Sequence, residues 1–584
     1  MTSPRLPRRL LLQSLIAIAL TVLPSLAAAQ GAAILSPRDR FQPVVARAGM
    51  VASQEAVATR IGVDILRRGG NAVDAAVAVG FALAVTLPRA GNLGGGGFML
   101  IHHAATGETT ALDYREMAPA AAHRDMYLTA AGEVDKRKVR FSHHGVGVPG
   151  TVAGLAAAAE RYGSLPLATL IAPALALARD GITVTDDLAG SLAARGKRLK
   201  RWPATAAVFF KPDGSAYAAG ERLVQADLAW SLQQIAAHGP QAFYGGAVGA
   251  RLAAEMAAHG GPITLDDLKA YQARWRAPVR GRYRDVEVAA MPPPSSGGVH
   301  LLQMLNILEG YDLKAMGHNG ADALHLMAEA ARLAYADRAR HLGDPDFTAV
   351  PVTGLTSKAY AKLLRAGIDP KRARPSREIG AGDPAPYESA ETTHFSVIDG
   401  TGNVVSNTYT LNFSYGTGIV AAGTGILLNN EMDDFSAKPG VPNAYGLIGG
   451  EANAVAAGKR PLSSMTPTIV FRDGKPWLAT GSPGGSRIIT TVLQIVLNTV
   501  DHGLNVAAAS AAPRMHHQWL PDRLFVERGF SPDTLNLLRQ RGHEIDERNA
   551  MGSTQSIMRV ETDTGAVLLG ASDPRRRGSL TAGY

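Results

Sequence analysis

Residues 391–412 have the sequence ETTHFSVIDGTGNVVSNTYTLN, in which two β-forming segments flank a short loop. The first segment, residues 393–399, alternates in polarity, and the second covers residues 403–411. The loop between them, residues 400–402, is Gly-Thr-Gly. Two such segments joined by a short glycine-containing loop are typical of a β-hairpin.

The register of this hairpin is expected to bring two threonines together. If Asp399 pairs with Asn403, paired residue numbers sum to about 802, and Thr410 lies opposite Thr392 with Cβ atoms roughly 5 Å apart; a bulge would shift this pairing by one residue. A threonine at a chain terminus carries its own base, an α-amine with a reference pKa of about 8. Cleavage of the Glu391–Thr392 bond would create such a nucleophile, although paired threonines are also common in ordinary strands.

Motifs along the chain resemble those of the γ-glutamyltransferase (γ-glutamyltranspeptidase) family of N-terminal nucleophile hydrolases. In and after the hairpin they are TTHFSVID, TYTLN, GTGILLNNEMDDFS, KPGVPNAYGLIGGEAN, KRPLSSMTPTIV, GSPGGSRII, APRMHHQWLPD, MGSTQSIM and the terminal TAGY, and before it they are GNLGGGGFM, DYREMAP and PPPSSGG. The resemblance implies an α+β fold, a four-layer αββα sandwich with two antiparallel sheets between helix layers. It also implies that the chain cleaves itself into two subunits that form one fold.

The first 29 residues are predicted to be a secretory signal peptide. Arginines 5, 8 and 9 form a charged start, residues 10–26 are apolar, and Ala27, Ala28 and Ala29 form a small-residue cleavage site. An uncleaved membrane anchor is the alternative, because the apolar run approaches a spanning length. The alanine ending favours removal, so we expect a periplasmic or secreted protein with no membrane segment in its mature form.

The resemblance divides the rest into a large subunit, residues 30–391, and a small subunit, residues 392–584, which pair as a heterodimer. Residues 367–391 are rich in proline, charge and small side chains, which is typical of a linker. An exposed linker just before the scissile bond suits the release of a new N-terminus at Thr392.

Composition excludes several classes of function. The 584 residues contain no cysteine, which removes disulfides, thiolate metal sites and cysteine nucleophiles. The formal net charge of +9 is modest, and no basic cluster is interleaved with aromatic residues, so no nucleic-acid partner is predicted. The glycine run at residues 94–97 lacks the dinucleotide-binding spacing. The acidic residues 431–434 have no accompanying histidine ligands. We therefore predict neither a cofactor nor a metal, and expect tight backbone packing at the glycine run.

Local signals predict two early helices. Ser53 is expected to cap a helix that runs to about Arg68, and Asn71 to cap a second one with Asp74 three residues further on. The body of the second helix, residues 72–85, is apolar nearly all round and should be buried.

Near the C-terminus, His516 and His517 are interpreted as structural, because adjacent strand residues point to opposite faces. The three arginines at residues 575–577 are interpreted as a solvated face.

A glycine-rich turn at residues 481–487 lies between a predicted strand and a predicted helix from residue 488 to about residue 500. This arrangement suits an anion, because unpaired N–H groups and the helix dipole point at the turn. The resemblance implies that the N–H groups of Gly484 and Gly485 form an oxyanion hole, and that Thr410 orients the Thr392 nucleophile.

The resemblance also assigns the substrate-binding residues. Arg115 would bind the substrate α-carboxylate, for which a forked guanidinium is suited, and Ser463 and Ser464 would join it. Without the family pattern, Arg115 would be interpreted as a solvated surface charge.

The α-ammonium would contact Asn412, Glu431 and Asp434, although some family members have glutamine in place of Glu431. Tyr445, in the loop at residues 439–453, would close over the site as a lid. An ordinary surface loop is the alternative for that segment.

The resemblance therefore implies an enzyme that cleaves γ-glutamyl amides such as glutathione, with transfer to water or to amino acid and peptide acceptors. A related glutaryl- or cephalosporin-type acylase, or a poly-γ-glutamate hydrolase, is the alternative enzyme. A glutaryl group has no α-ammonium, so Glu431 and Asp434 argue against the acylase. A non-enzymatic alternative is an exported solute-binding protein, which needs no processing site.

Overall fold

Two seven-stranded antiparallel sheets organise the protein, whose computed structural model describes residues 41–384 and 395–584. In chain order the strands are β1 (Val44–Ala46), β2 (Gly49–Ser53), β3 (Gly96–His103), β4 (Glu108–Tyr114), β5 (Ile182–Thr183), β6 (Arg222–Leu223), β7 (Arg274–Arg276), β8 (Val279–Tyr283), β9 (Val286–Ala290), β10 (Ser396–Asp399), β11 (Val404–Thr410), β12 (Val420–Ala421), β13 (Ile426–Leu427), β14 (Thr468–Arg472), β15 (Lys475–Thr480), β16 (Met515–His516), β17 (Leu524–Glu527), β18 (Ile545–Arg548), β19 (Gln555–Thr562), β20 (Gly565–Ser572) and β21 (Leu580–Gly583).

The helices fill the intervals between these strands. They are α1 (Ala56–Arg67), α2 (Ala72–Thr86), α3 (Lys136–Phe141), α4 (Thr151–Tyr162), α5 (Leu167–Asp180), α6 (Asp186–Leu199), α7 (Pro203–Phe209), α8 (Ala226–His238), α9 (Gln241–Tyr244), α10 (Ala247–Ala258), α11 (Leu265–Ala270), α12 (Gly297–Leu308), α13 (Leu313–Met316), α14 (Ala321–His341), α15 (Val352–Leu355), α16 (Lys358–Ala366), α17 (Arg487–Val500), α18 (Val506–Ala511) and α19 (Pro532–Gln540).

The order of the strands interleaves the two halves of the chain. One sheet has the order β1-β20-β19-β15-β14-β9-β8, and the other has the order β21-β2-β10-β11-β3-β4-β7. Strands from before and after the predicted cleavage site therefore lie side by side in both sheets. Two subunits produced by that cut would share both sheets, which explains how they could form one fold.

The predicted hairpin is the β10–β11 pair, at the middle of the second sheet. Ser396 pairs with Ser406 and Ile398 with Val404, so the predicted register is confirmed over the described residues. Thr392 lies outside the described residues, so its pairing with Thr410 stays a prediction.

Helices cover the outer faces of the two sheets, which pack against each other. Helices α1, α2 and α4 pack on the second sheet, and α12 packs on β8 and β9 of the first. Strands β10 and β11 of the second sheet face β15 of the first. The layers are therefore helix, sheet, sheet and helix, as expected. Within the described residues, the structure contains no helix that is both long enough and apolar enough to span a membrane.

Helices α1 and α2 both begin at a residue whose side chain caps the helix. Asn71 and Asp74 form the capping box of α2, and every residue of Ala72–Thr86 is buried, as its apolar sequence indicates. The prediction for α1 was wrong at its start. Glu55, not Ser53, is the cap, because its carboxylate accepts from the amides of Val57 and Ala58, whereas Ser53 belongs to β2.

Candidate active site

A cavity of about 740 Å³ opens where β11 ends. Its lining includes every predicted site residue in the part of the chain that the structure describes. These are Arg115, Thr410, Asn412, Glu431, Asp434, Tyr445, Ser463, Ser464, Gly484 and Gly485. Glu391 and Thr392, the predicted cleavage site, lie outside the described residues.

Thr410 is the last residue of β11 and sits against the glycine run. It pairs with Gly96, and a Cβ atom on Gly95 would lie 2.0 Å from the Thr410 carbonyl oxygen. The tight backbone packing expected of the glycine run is therefore confirmed. The Thr410 hydroxyl oxygen accepts a hydrogen bond from the amide of Asn412 at 2.7 Å, and a hydroxyl in that position keeps its own proton to donate.

Arg115 is fully buried and ion-paired at one end of the cavity. Its Nη1 contacts Glu431, and its Nη2 lies 2.7 Å from Oδ2 of Asp434. Its Nε donates to the Pro461 carbonyl oxygen at 3.2 Å. The family resemblance assigns Arg115 and the two carboxylates to different groups of the substrate, and the structure joins them in one network.

A third carboxylate, Glu116, belongs to this network and was missed by the sequence analysis. Its Oε2 lies 3.6 Å from Arg115 Nη1, and neither of its oxygens has a hydrogen-bond partner among the described residues. Burial raises the pKa of Glu116 and of Glu431 above the usual range, and the charge of Arg115 opposes this shift. Burial alone would lower the pKa of Arg115, but the carboxylates Glu431, Glu116 and Asp434 raise it.

Arg338, also missed by the sequence analysis, supports the two serines. Its Nη2 donates to Ser464 Oγ at 3.1 Å and its Nε to Ser296 Oγ at 2.8 Å. Ser296 in turn donates its amide to the Ser463 carbonyl oxygen at 2.9 Å. Arg338 is buried, lines the cavity and has no ion-pair partner within residues 41–384 and 395–584. No local motif surrounds it on α14, so only the tertiary structure identifies it.

The glycine turn has the backbone shape of an anion site. Gly484 and Gly485 have φ angles of +143° and +59°, and α17 begins two residues later. Neither of their amides donates a hydrogen bond to an acceptor in the described residues. Both N–H groups are therefore available to an oxygen atom placed in the cavity.

Tyr445 lies over this turn. Its hydroxyl donates to the Asn412 carbonyl oxygen at 3.0 Å, and its ring lies close enough to Gly485 that a Cβ atom there would be 2.6 Å away. Through Tyr445, the loop at residues 439–453 thus contacts both Asn412, which follows β11, and Gly485 in the glycine turn.

The chain is similar to known proteins over most of its length. The family model described as Gamma-glutamyltranspeptidase matches residues 58–583. The glutathione hydrolase proenzyme of Escherichia coli strain K12 is 59% identical over 94% of this chain and 93% of its own length. The crystal structure of cephalosporin acylase from Bacillus halodurans has a TM-score of 0.83 at 30% identity, over 95% of this chain and 98% of that one.

The crystal structure of Helicobacter pylori gamma-glutamyltranspeptidase has a TM-score of 0.57 at 44% identity, over 57% of this chain and 96% of that chain. The matched family model spans most of the sequence, and the relatives are matched over nearly their whole length. The chain belongs to the gamma-glutamyltranspeptidase family.

Proposed function

We propose that this protein is a proenzyme that cuts itself between Glu391 and Thr392 and then cleaves γ-glutamyl amides such as glutathione. Its relative in Escherichia coli is a glutathione hydrolase proenzyme. The solved Helicobacter chain, which matches 57% of this sequence over nearly all of its own length, is consistent with a processed large subunit. The large subunit is then residues 30–391 and the small subunit residues 392–584.

The first chemical step forms an acyl-enzyme. The Thr392 hydroxyl oxygen attacks the γ-carbonyl carbon of the donor, and the α-amine of Thr392 takes the hydroxyl proton. The carbon–nitrogen bond breaks, and the proton passes to the leaving amine. The N–H groups of Gly484 and Gly485 stabilise the oxyanion, and Thr410 orients the nucleophile.

The second step resolves the ester. Water or the amine of an amino acid or peptide attacks the same carbonyl carbon, the ester carbon–oxygen bond breaks, and Thr392 regains its proton. Maturation uses the same hydroxyl: its oxygen attacks the Glu391 carbonyl carbon, the Glu391–Thr392 carbon–nitrogen bond breaks, and the hydroxyl proton passes to the nitrogen, which becomes the α-amine of Thr392. Water then hydrolyses the resulting ester.

The observation that carries this proposal is the buried network of Arg115, Glu431 and Asp434 at one end of the cavity. A γ-glutamyl group presents an α-carboxylate and an α-ammonium on one carbon. A network that holds a guanidinium against two carboxylates offers a partner of opposite charge to each. Ser463 and Ser464 add hydroxyl donors for the carboxylate.

A glutaryl-type acylase is the second candidate, because a cephalosporin acylase shares the fold closely. A glutaryl group has no ammonium to bind Glu431 and Asp434. Those two carboxylates, both paired with Arg115, favour γ-glutamyl donors.

We expect the mature protein to be periplasmic or secreted after removal of residues 1–29. This location is supported by the composition of that segment, which has three arginines, an apolar run and an alanine-rich end.

The test is an intact mass measurement under denaturing conditions, with N-terminal sequencing and a donor panel. We expect two chains, the smaller beginning at Thr392. We also expect turnover of γ-glutamyl amides to be at least tenfold faster than that of glutaryl amides, since a glutaryl group lacks the ammonium that Glu431 and Asp434 would bind. A cut protein that prefers glutaryl amides would support the acylase. An uncut chain without activity would refute the mechanism.

Replacing Gly485 by alanine tests the glycine turn. The new Cβ would lie 2.6 Å from the Tyr445 ring, so the ring and the Gly485 amide must move apart. We expect kcat/KM for a γ-glutamyl amide to fall roughly tenfold to a hundredfold, because catalytic donors tolerate little displacement.

Gly474→Ala is the matched control. Gly474 has φ of +74° in the β14–β15 turn, and no atom lies within 4 Å of the place that a Cβ would occupy there. Both substitutions force alanine into the left-handed region at a cost of about 1 kcal/mol, but only Gly485→Ala disturbs the cavity. Equal losses of activity in the two variants would contradict the assignment.

A further inference from the structure

A second cavity of about 600 Å³ adjoins the first one and shares part of its lining. We call it the basic groove. Its lining is Phe141, Ala194, Arg195, Lys197, Arg198, Arg201, Phe413, Ser414 and Tyr445. Five of these residues also line the first cavity, namely Ala194, Arg195, Phe413, Ser414 and Tyr445. The residues assigned to the γ-glutamyl group, by contrast, line only the first cavity, apart from the lid residue Tyr445.

Among the residues that the structure describes, the groove is lined by four cations and no carboxylate. Arg195, Lys197 and Arg201 are exposed, and Arg198 is half-buried. None of the four forms an ion pair with a carboxylate in the ranges 41–384 and 395–584, although ion pairs are common elsewhere on this protein. The groove therefore presents unneutralised positive charge next to the mouth of the catalytic cavity.

Arg198 is held in place rather than free to turn away. Its Nη1 donates to the Gly416 carbonyl oxygen at 2.6 Å and its Nη2 to the Ser414 carbonyl oxygen, and its guanidinium lies 5.3 Å from the centre of the Phe141 ring. Burial and the neighbouring Arg195 lower its pKa to about 10. Two cations kept close together without an anion repel each other, and a bound anion would relieve that repulsion.

The position of the groove indicates what the anion belongs to. A γ-glutamyl amide has an acyl side, which fits the Arg115 end, and an amine side, which must extend from the reacting carbonyl toward the rest of the cavity. Phe413 and Tyr445 line both cavities, so an amine that extends past these two residues reaches the groove. A peptide that leaves as an amine carries a carboxylate at its other end. Guanidinium and ammonium groups bind carboxylates.

We propose that the basic groove binds the carboxylate of the leaving amine, so that the enzyme prefers γ-glutamyl donors whose leaving group is anionic. The incoming acceptor amine attacks the same carbonyl carbon from the position that the leaving amine has vacated. The same groove therefore selects acceptors that carry a carboxylate. This inference rests on the proposed γ-glutamyl chemistry and adds the class of amine to it.

The test compares two donors that differ by one charge, γ-glutamyl-alanylglycine and its C-terminal amide, at low ionic strength. We expect kcat/KM to be about fivefold to tenfold higher for the acid, because a few exposed ion pairs are worth about that factor. Raising the salt concentration should bring the ratio toward one, since exposed charges are screened.

The double variant Arg195→Gln/Arg201→Gln should bring the acid-to-amide ratio close to one. The matched control is Arg60→Gln/Arg282→Gln, which removes two exposed arginines that line neither cavity and should keep the wild-type ratio. Wild-type protein that turns over both donors equally, or a groove variant that keeps the ratio, overturns this inference alone. Wild-type protein that turns over neither donor overturns the proposed function and this inference with it.

Discussion

Replacing Thr392 by alanine is expected to leave one uncut chain with activity reduced roughly a thousandfold or more, because in the proposed mechanism the same hydroxyl both starts maturation and attacks the donor. The structure supports this choice of threonine through its neighbours. The register of β10 and β11 is fixed by Ser396–Ser406 and Ile398–Val404. If the same register continued for four more residues, it would place Thr392 opposite Thr410. Mass spectrometry and a γ-glutamyl amide assay measure the two effects.

Two further threonine variants make the result specific. Thr401→Ala changes a hydroxyl in the loop of the same hairpin, where Thr401 donates to the Asp399 carboxylate at 2.8 Å, and this variant should still be cut. Thr392→Ser keeps a hydroxyl and should be cut, although more slowly. An uncut Thr401→Ala protein would mean that cleavage is lost whenever the hairpin is perturbed. A cut or active Thr392→Ala protein would exclude Thr392 as the nucleophile.

Local patterns predicted those parts of the molecule that local interactions determine. The hairpin register follows from alternation and a short loop, and the α2 capping box follows from Asn71 and Asp74, three residues apart. The glycine turn before α17 follows from the same kind of signal. Each of these features is decided by residues that are neighbours in the sequence, so the sequence contains the necessary information.

The charge network could not be predicted in the same way, because its members are far apart in the sequence. Arg115 and Glu431 are separated by 316 positions, and Arg338 and Ser464 by 126. The arginine run at residues 575–577 shows the same limit. It was interpreted as a solvated face, but Arg575 is largely buried and pairs with Glu527 at 2.5 Å, so that interpretation was wrong for this residue.

The two histidines near the C-terminus, which we interpret as structural, have separate surroundings in the folded protein. Both are buried, and each has its own set of partners. His516 hydrogen-bonds with Thr490 at 2.8 Å, whereas His517 lies 3.1 Å from Arg332. His516 is the last residue of β16 and His517 follows it, so the two side chains reach different partners.

Replacing Arg115 by glutamine is expected to be the most destabilising change among the residues that line the first cavity. Removing one partner of a buried ion pair leaves the other charges uncompensated, which typically costs about 3–5 kcal/mol of unfolding free energy. Three carboxylates, Glu116, Glu431 and Asp434, would lose their common cation. The measurement is denaturant unfolding in a Thr392→Ala background, in which a single uncut chain avoids dissociation of the subunits.

The pH dependence of the lost unfolding free energy distinguishes uncompensated charge from a simple packing defect. Burial already raises the pKa of Glu116 and Glu431 in the folded protein, and loss of Arg115 would raise both further. A carboxyl group whose pKa is higher in the folded protein than in the unfolded chain destabilises the folded state as it ionises. The loss of unfolding free energy in Arg115→Gln should therefore be small near pH 5 and grow as the pH rises toward 8. Arg338→Gln is the control, because it removes an equally buried arginine that pairs with hydroxyls rather than carboxylates. The unfolding free energy lost in Arg338→Gln should change little between pH 5 and pH 8. If the loss in Arg115→Gln were equally independent of pH, the carboxylates would not depend on Arg115 for their charge.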